Sequence, residues 1–276
     1  LKTLEKRSLI VTNCTQRKRL TATNGCIISG HQSGLTDELA DRWLEQLKKE
    51  DKKISADALY SGRVFSEIKR AASLLNADIL VASAGLGLIK ATQKVPPYSL
   101  TISLGNKDCV LNKISEGNAS EWWKVLNSKS PFSASFDTKS YDIVLVAMSL
   151  PYFRIFEHQL IDLATTEKSK LRLFLRAKEH DVSNCLATYL MPYDDRFDGL
   201  QGPNRGTMND FPQRALRHFA ESILPISSCN SYKDHSTLVE DVLGQLQPYK
   251  TLTGIKYADE EIINLIKEKW SESYLF

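Results

Sequence analysis

The densest chemistry lies in Asn13-Cys14-Thr15-Gln16-Arg17-Lys18-Arg19, directly after the apolar run Ser8–Thr12. An amide, a thiol, a hydroxyl and basic groups at a strand end can cradle a phosphate or a base edge. The alternative is a solvated loop whose Asn and Thr satisfy their own backbone. Cys14 has no histidine near it in sequence, a weak objection to a nucleophile because such partners often come from afar. A second stretch, Ser83-Ala84-Gly85-Leu86-Gly87, follows another apolar run. Two glycines there permit a sharp turn and a close backbone approach to a ligand. It is neither a Walker loop nor GxGxxG, so a plain tight turn competes with a binding loop. Tyr60 and Tyr98 can stack on a planar ring, although aromatic residues more often belong to a core.

Hydrolysis needs a carboxylate, and Asp57, Asp142, Asp198 and Asp210 sit at the ends of expected elements. Asp210 reads as a helix cap. Asp142 starts its strand, at the wrong end. Asp57 and Asp198 remain, with Asn13 behind them. Asn204-Arg205-Gly206-Thr207, ahead of a helix N-terminus, reads as a phosphate site. The five histidines show no HxH or HExxH spacing, so neither a metal nor another cofactor is expected.

These residues need a scaffold. Apolar runs predict strands near 8–12, 78–83, 141–148, 170–175 and 185–191, the run at 170–175 with one solvated face. Helical spacing of Val64, Phe65, Ile68, Ala71, Ala72 and Leu75 predicts a helix from Arg63 that Asn76-Ala77 ends. Further helices are expected from Glu38 to Lys49 with Thr36 as cap, from Ala119 to Leu126, from Tyr152 to Thr165, from Asp210, around Leu238–Leu246 and from Asp259. Ser128 to Ser140 reads as a surface connection. Alternating strands and helices predict an α/β fold, a mainly parallel sheet of four or five strands covered on both faces. Ligands then sit at the carboxyl ends of the strands, at Asn13–Lys18 and Ser83–Gly87. One catalytic domain over 1–225 with a helical appendage over 226–276 fits this pattern.

The bulk numbers narrow the class. The chain has 276 residues, 42% hydrophobic and 25% charged, ordinary for a globular protein. No run approaches the ~20 apolar residues of a membrane span. Leu1 to Arg7 lacks the apolar core of a signal peptide. Five cysteines without CxxC spacing suggest reduced thiols in the cytoplasm. The formal net charge of +3 is weak, but Arg17-Lys18-Arg19 and Lys168–Lys178 cluster basic groups.

Ala58-Leu-Tyr-Ser-Gly62, then Val81-Ala-Ser-Ala-Gly-Leu-Gly-Leu-Ile89, then Pro97-Tyr-Ser-Leu-Thr101 resemble a family of small bacterial proteins. Those proteins carry a strand ending in a Cys or Ser loop with Lys, a Leu-Tyr turn, a Ser-Ala-x-x-Gly-Leu loop and a Pro-Tyr-x-Leu-Thr segment. Related segments occur in YaaA-like proteins and in a domain of archaeosine synthases grouped with the uracil-DNA glycosylase fold. Bacterial anti-phage DNA glycosylases look similar in function. The resemblance covers about the first 100 residues. It departs at Asn13–Lys18, where relatives have a shorter Cys-Ser-x-x-Lys, and it lacks the Gly-Gln-Asp-Pro-Tyr motif of ordinary uracil glycosylases.

The resemblance implies a three-layer sandwich and a DNA N-glycosylase that excises a modified base, such as a glucosylated one, from phage DNA. The nucleotide would be flipped into a pocket. Cys14, Tyr60, Ser83, Ala84, Gly85, Leu86, Gly87 and Tyr98 would line it. Arg17, Lys18, Arg63, Asn204, Arg205 and Arg214 would hold phosphates. Asp57 or Asp198, or else Asn13, would stabilise the cationic sugar. A non-catalytic nucleic-acid sensor and a nucleotide or nucleoside hydrolase are the alternatives.

Overall fold

A computed structural model describes residues 7–167, 169–200, 202–247 and 257–273. In chain order the elements are β1 (Ser8–Asn13), α1 (Thr36–Lys49), β2 (Ile54–Ser55), α2 (Ala56–Leu59), α3 (Arg63–Leu75), β3 (Asp78–Ser83), β4 (Gly87–Lys90), β5 (Lys94–Val95), α4 (Ala119–Lys129), β6 (Ile143–Ala147), α5 (Leu150–Thr166), β7 (Leu171–Phe174), α6 (Asn184–Ala187), α7 (Phe211–His218), α8 (Tyr232–Leu243) and α9 (Asp259–Ser273).

Five strands form the central sheet in the order β4-β3-β1-β6-β7. β1 runs parallel to β3 and β6, with Val11 opposite Leu80 and Val146. β6 pairs in parallel with β7. β4 is antiparallel to β3, joined by a tight turn that sets Ser83 opposite Gly87.

Alternation divides the core between the two faces. Leu9, Val11, Val144, Val146, Leu171 and Leu173 face one cluster, with Trp43 of α1, Trp122 of α4 and Phe153 and Phe156 of α5. Ile10, Leu145, Ala147 and Phe174 face the other, with Ile68 of α3, Leu216 of α7 and Val239 of α8. Strands buried on both sides need no polar face, which is why β1 and β6 read as continuous apolar runs. α3 ends at Asn76, whose φ of 47° is a left-handed cap with its N–H on Ala72 O. At α4, Asn118 and Glu121 form a capping box.

Several expectations are corrected. Residues 185–191 are not a strand: α6 occupies 184–187 and Leu190 touches β7 through one isolated bridge to Leu173. Leu186 and Tyr189 bury one face of the segment together, a spacing of three rather than two. The fifth strand is β4, drawn from the glycine stretch. β7 has no solvated face, because Arg172 is fully buried under α8. Its guanidinium donates to His235 Nδ1 at 2.8 Å and to the carbonyls of Ser169, Leu171 and Asn230. A domain boundary at 225 would cut through this core, since His235, Val239 and Leu243 of α8 are buried in it. Thr36 does not cap α1; its hydroxyl donates to Glu116 O. Among the described residues no helix is long and apolar enough to cross a membrane.

Candidate active site

The turn between β3 and β4 is clamped by three tryptophans. Trp123 donates its indole N–H to Ser83 O at 3.1 Å, Trp122 to Ala84 O at 2.8 Å and Trp43 to Gly85 O at 2.7 Å. The Ser83 hydroxyl accepts the amides of Gly85 and Leu86. Leu86 O accepts the buried Ser130 hydroxyl at 2.6 Å, so part of the expected surface connection is core. Residues 81–89 are all buried. A Cβ on Gly85 would lie 2.6 Å from the Tyr98 ring. Gly87 has φ +83°, and a Cβ there would collide with the Ser133 hydroxyl. Gly85 therefore answers to aromatic packing, and Gly87 to its positive φ and to the Ser133 and Asn127 groups beside it. Ala84, Gly85, Leu86 and Gly87 do not line a ligand pocket, because their polar groups are turned into the protein. Only the Ser83 side chain reaches the group described next.

At the carboxyl end of β1, Cys14 N donates to Ala82 O, which fixes the strand exit beside β3. Asn13 is a strut rather than a catalytic group. Its Oδ1 accepts Ser149 N at 3.0 Å, and its Nδ2 donates to Cys14 O at 2.9 Å. The Cys14 thiol donates to the Tyr152 hydroxyl at 3.4 Å. Tyr98 OH lies 2.9 Å from Tyr60 OH and 2.7 Å from Ser83 Oγ. Tyr60, Tyr98 and Tyr152 are all buried.

Lys18 completes the cluster. Arg19 N donates to Leu59 O and Ser61 N to Arg17 O, so residues 17–19 pair with 59–61 around an antiparallel Lys18–Tyr60 bridge. That pairing lays Lys18 Nζ over the Tyr98 ring at 4.1 Å and near the Tyr60 ring at 5.9 Å. Tyr60 and Tyr98 thus present their faces to Lys18 and are not open stacking platforms, and Lys18 is drawn in rather than held out for phosphate. Such ring contacts attract a cation by ~0.5–2 kcal/mol. Among the described residues Lys18 makes no hydrogen bond and no ion pair.

Charge follows burial here. Burial lowers the Lys18 pKa from its ordinary value, against the opposing pull of Cys14 and Asp108. Burial raises the phenols of Tyr60, Tyr98 and Tyr152, with the nearby Cys14 adding to it, so all three stay protonated near neutrality. Asp108 is buried, and its Oδ2 accepts the Ser99 hydroxyl at 2.6 Å. Burial pushes its carboxyl up, but the Ser29 and Ser99 hydroxyls and Lys107 outweigh that and hold it below the usual range.

The other expected groups lie elsewhere. Asp57 borders a crevice with Lys69, Asp78, Lys90 and Tyr141 at the amino end of β3, the opposite edge of the sheet. Its place is dictated by α2, where Asp57 N donates to Ala91 O. Asp198 and Asp210 are both spent on Arg214, which is fully buried: Nη1 lies 2.9 Å from Asp198 and Nε 2.7 Å from Asp210. Arg214 also donates to the carbonyls of Thr207 and Asn204. Asn204 Oδ1 accepts from Arg217. Arg214 and Asn204 therefore anchor a loop and do not meet phosphate. Asp210 sits at the cap position of α7, but its carboxylate accepts Thr207 N rather than a helix amide. Arg17 and Arg205 are exposed. Arg63 is partly exposed; it pairs with Glu67 and Asp210 and donates to Arg205 O.

Sequence reasoning missed Tyr152 and Asp108. Tyr152 had a signal, because it follows the carboxyl end of β6 in the first turn of α5. Asp108 had none, lying in a loop without pattern. Among the described residues no group of three His, Cys, Asp or Glu could hold a metal. Comparison with protein-family models, with curated proteins and with solved structures finds no match to this chain.

Proposed function

We propose that the chain is a DNA N-glycosylase that removes a modified base from foreign DNA and leaves an abasic site. The observation that carries this reading is the Lys18 amine, laid on Tyr98 and Tyr60 beside Cys14 and Tyr152 at the carboxyl edge of a parallel sheet. That edge is where open α/β sheets bind ligands. In this reading the layered sheet is of the uracil-DNA glycosylase type, and the protein acts on DNA in the cytoplasm.

Scission of the glycosidic bond builds positive charge on the sugar and negative charge on the leaving base. Asp108, within electrostatic reach of Lys18, is the carboxylate for the cationic sugar. The buried phenols and Lys18 are the donors for the leaving base. Arg17 and Arg205, exposed and close to this edge, take the flanking phosphates. The target nucleotide must be flipped out of the duplex to reach these groups.

The test is to incubate the purified protein with plain DNA and with DNA carrying glucosylated cytosine. Released base is followed by mass spectrometry and abasic sites by aldehyde labelling. Base release from modified DNA only is the expected result. Binding without release would make the chain a sensor. Release from free nucleosides alone would make it a small-molecule hydrolase.

A further inference from the structure

Two other partly buried lysines of the chain have carboxylate partners. Lys129 meets Asp37 and Asp41, and Lys170 meets Glu167. Lys18, like half-buried Lys113, has none among the described residues, but of the two only Lys18 lies over aromatic rings. It is half-buried, it rests on aromatic faces, and among the described residues no carboxylate lies within ion-pair distance. An ammonium stripped of water without a counter-ion favours its neutral form. A neutral amine is a nucleophile toward a carbonyl or an anomeric carbon. Asp108 Oδ2 accepts the Ser99 hydroxyl, and its charge opposes the burial effect on the Lys18 amine. The arrangement serves covalent chemistry.

We propose that Lys18 Nζ forms a transient imine with C1′ of the deoxyribose whose base is removed. This rests on the reading of the cluster as a nucleotide site in DNA. The amine nitrogen bonds to C1′ as the glycosidic bond breaks, and that bond's electron pair leaves with the base, which takes a proton. The amine's own proton passes to water. The C1′–O4′ bond then opens, O4′ takes a proton from water, and the nitrogen lone pair completes the protonated C1′=N double bond. Water adds to C1′ and releases the free amine and the abasic sugar. No metal or redox partner enters the balance.

Borohydride reduces such an imine to a stable amine, so the probe is an oligonucleotide with one ready-made abasic site. The full chain, incubated with it and borohydride, should form one covalent adduct. Peptide mass spectrometry should place the added sugar on Lys18. Lys18→Met should lose the adduct at least tenfold, whereas Lys94→Met, an exposed lysine on β5, should retain it. Mapping in the unaltered chain keeps the test meaningful if Lys18→Met fails to fold. No adduct, or an adduct on the terminal amine or another lysine, overturns the proposal. Base release from modified DNA without a Lys18 adduct sinks the imine and leaves the glycosylase standing. A Lys18 adduct on abasic DNA with no base released from modified DNA sinks the excision reading and keeps the amine.

Discussion

In the proposed reaction Lys18 is an amine whose proton is held less tightly because of burial. Asp108 is a carboxylate held below its usual range by Ser29, Ser99 and Lys107. The pH behaviour of Lys18 tests its part. The Lys18 pKa lies below its ordinary 10.5 because of burial. Its adduct-forming rate on abasic DNA should therefore climb with pH and level off below 10.5, while a solvated lysine would climb through it. The same shift has a sign for stability. The unfolded chain holds the Lys18 proton more tightly, so stability rises with pH in the interval just below 10.5. Lys18→Met should flatten that rise in denaturant titrations. For Asp108 the expected effect is on rate. Asp108→Asn keeps the shape and the Ser99 hydrogen bond but removes the charge. Base release in single turnover should fall on the order of 100-fold, with DNA binding by anisotropy unchanged. A full rate in the folded variant would exclude Asp108 from the reaction.

At the scale of elements, the turn between β3 and β4 is a device for holding Ser83 and Tyr98 in place. Three carbonyls in a row are satisfied by indoles from α1 and α4, so the turn can be buried without an unsatisfied acceptor. Gly85→Ala would press a methyl group against the Tyr98 ring. Overpacking of this kind costs about 1–3 kcal/mol, and chemical denaturation should show it. Because Tyr98 supports Lys18, the same variant should also lose Lys18 adduct under conditions where it remains folded. A stable Gly85→Ala protein with a normal adduct would mean that the clamp and the cluster are independent. α7 makes a second prediction. His218 is buried, its Nδ1 lies 2.8 Å from Tyr193 OH, and burial, aided by Arg217, lowers its pKa to about 4. Unfolded, it titrates near 6.5. The folded chain therefore prefers the neutral ring, and this contribution is intact above 6.5 and lost as pH falls from 6.5 toward 4. The shift corresponds to roughly 3 kcal/mol. Thermal melts between pH 7 and pH 4 should show a steeper decline for the parent chain than for His218→Gln.

Across the whole molecule, buried ion pairs join segments far apart in sequence. Arg214 ties the loop bearing Asp198 and Asn204 to α7, and Arg217 ties α7 to Glu67 of α3. Removing one partner of such a group leaves buried charge uncompensated, about 3–5 kcal/mol. Arg214→Ala should lower the unfolding midpoint accordingly, and it should do so without DNA present. If Arg214 instead met phosphate, the loss would be in affinity, with stability spared. Arg17 and Arg205 should behave in the opposite way. Changing both to Ala should cost less stability than Arg214→Ala, weaken DNA binding at every sequence and reduce the salt slope by about 2. An unchanged slope would assign both to a solvated face.

Periodicity by itself determined four of the five strands of the central sheet; it misread 185–191 as the fifth and left out the antiparallel β4. The apolar runs at 8–12, 78–83 and 141–148 could only be buried strands, and their alternation with helices made them parallel. That geometry also determined that Cys14, Lys18 and Ser83 emerge at one edge, because parallel strands end together. The Asn76 stop of α3 was legible because a left-handed cap is local chemistry. The start of α7 was legible in position, although Asp210 makes no cap hydrogen bond to a helix amide. Only the tertiary structure decided what each polar group does there. Asp57, three residues from Tyr60, points to the other edge, because one turn of α2 separates them. Asp198 and Asp210 are claimed by a single arginine brought in by α7. Tyr152 and Asp108 reach the cluster from α5 and from a loop without pattern. The glycine turn is sealed by indoles that α1 and α4 deliver. A buried donor or acceptor takes whichever partner the docked elements bring within hydrogen-bond distance, and that choice is made by packing between segments remote in sequence.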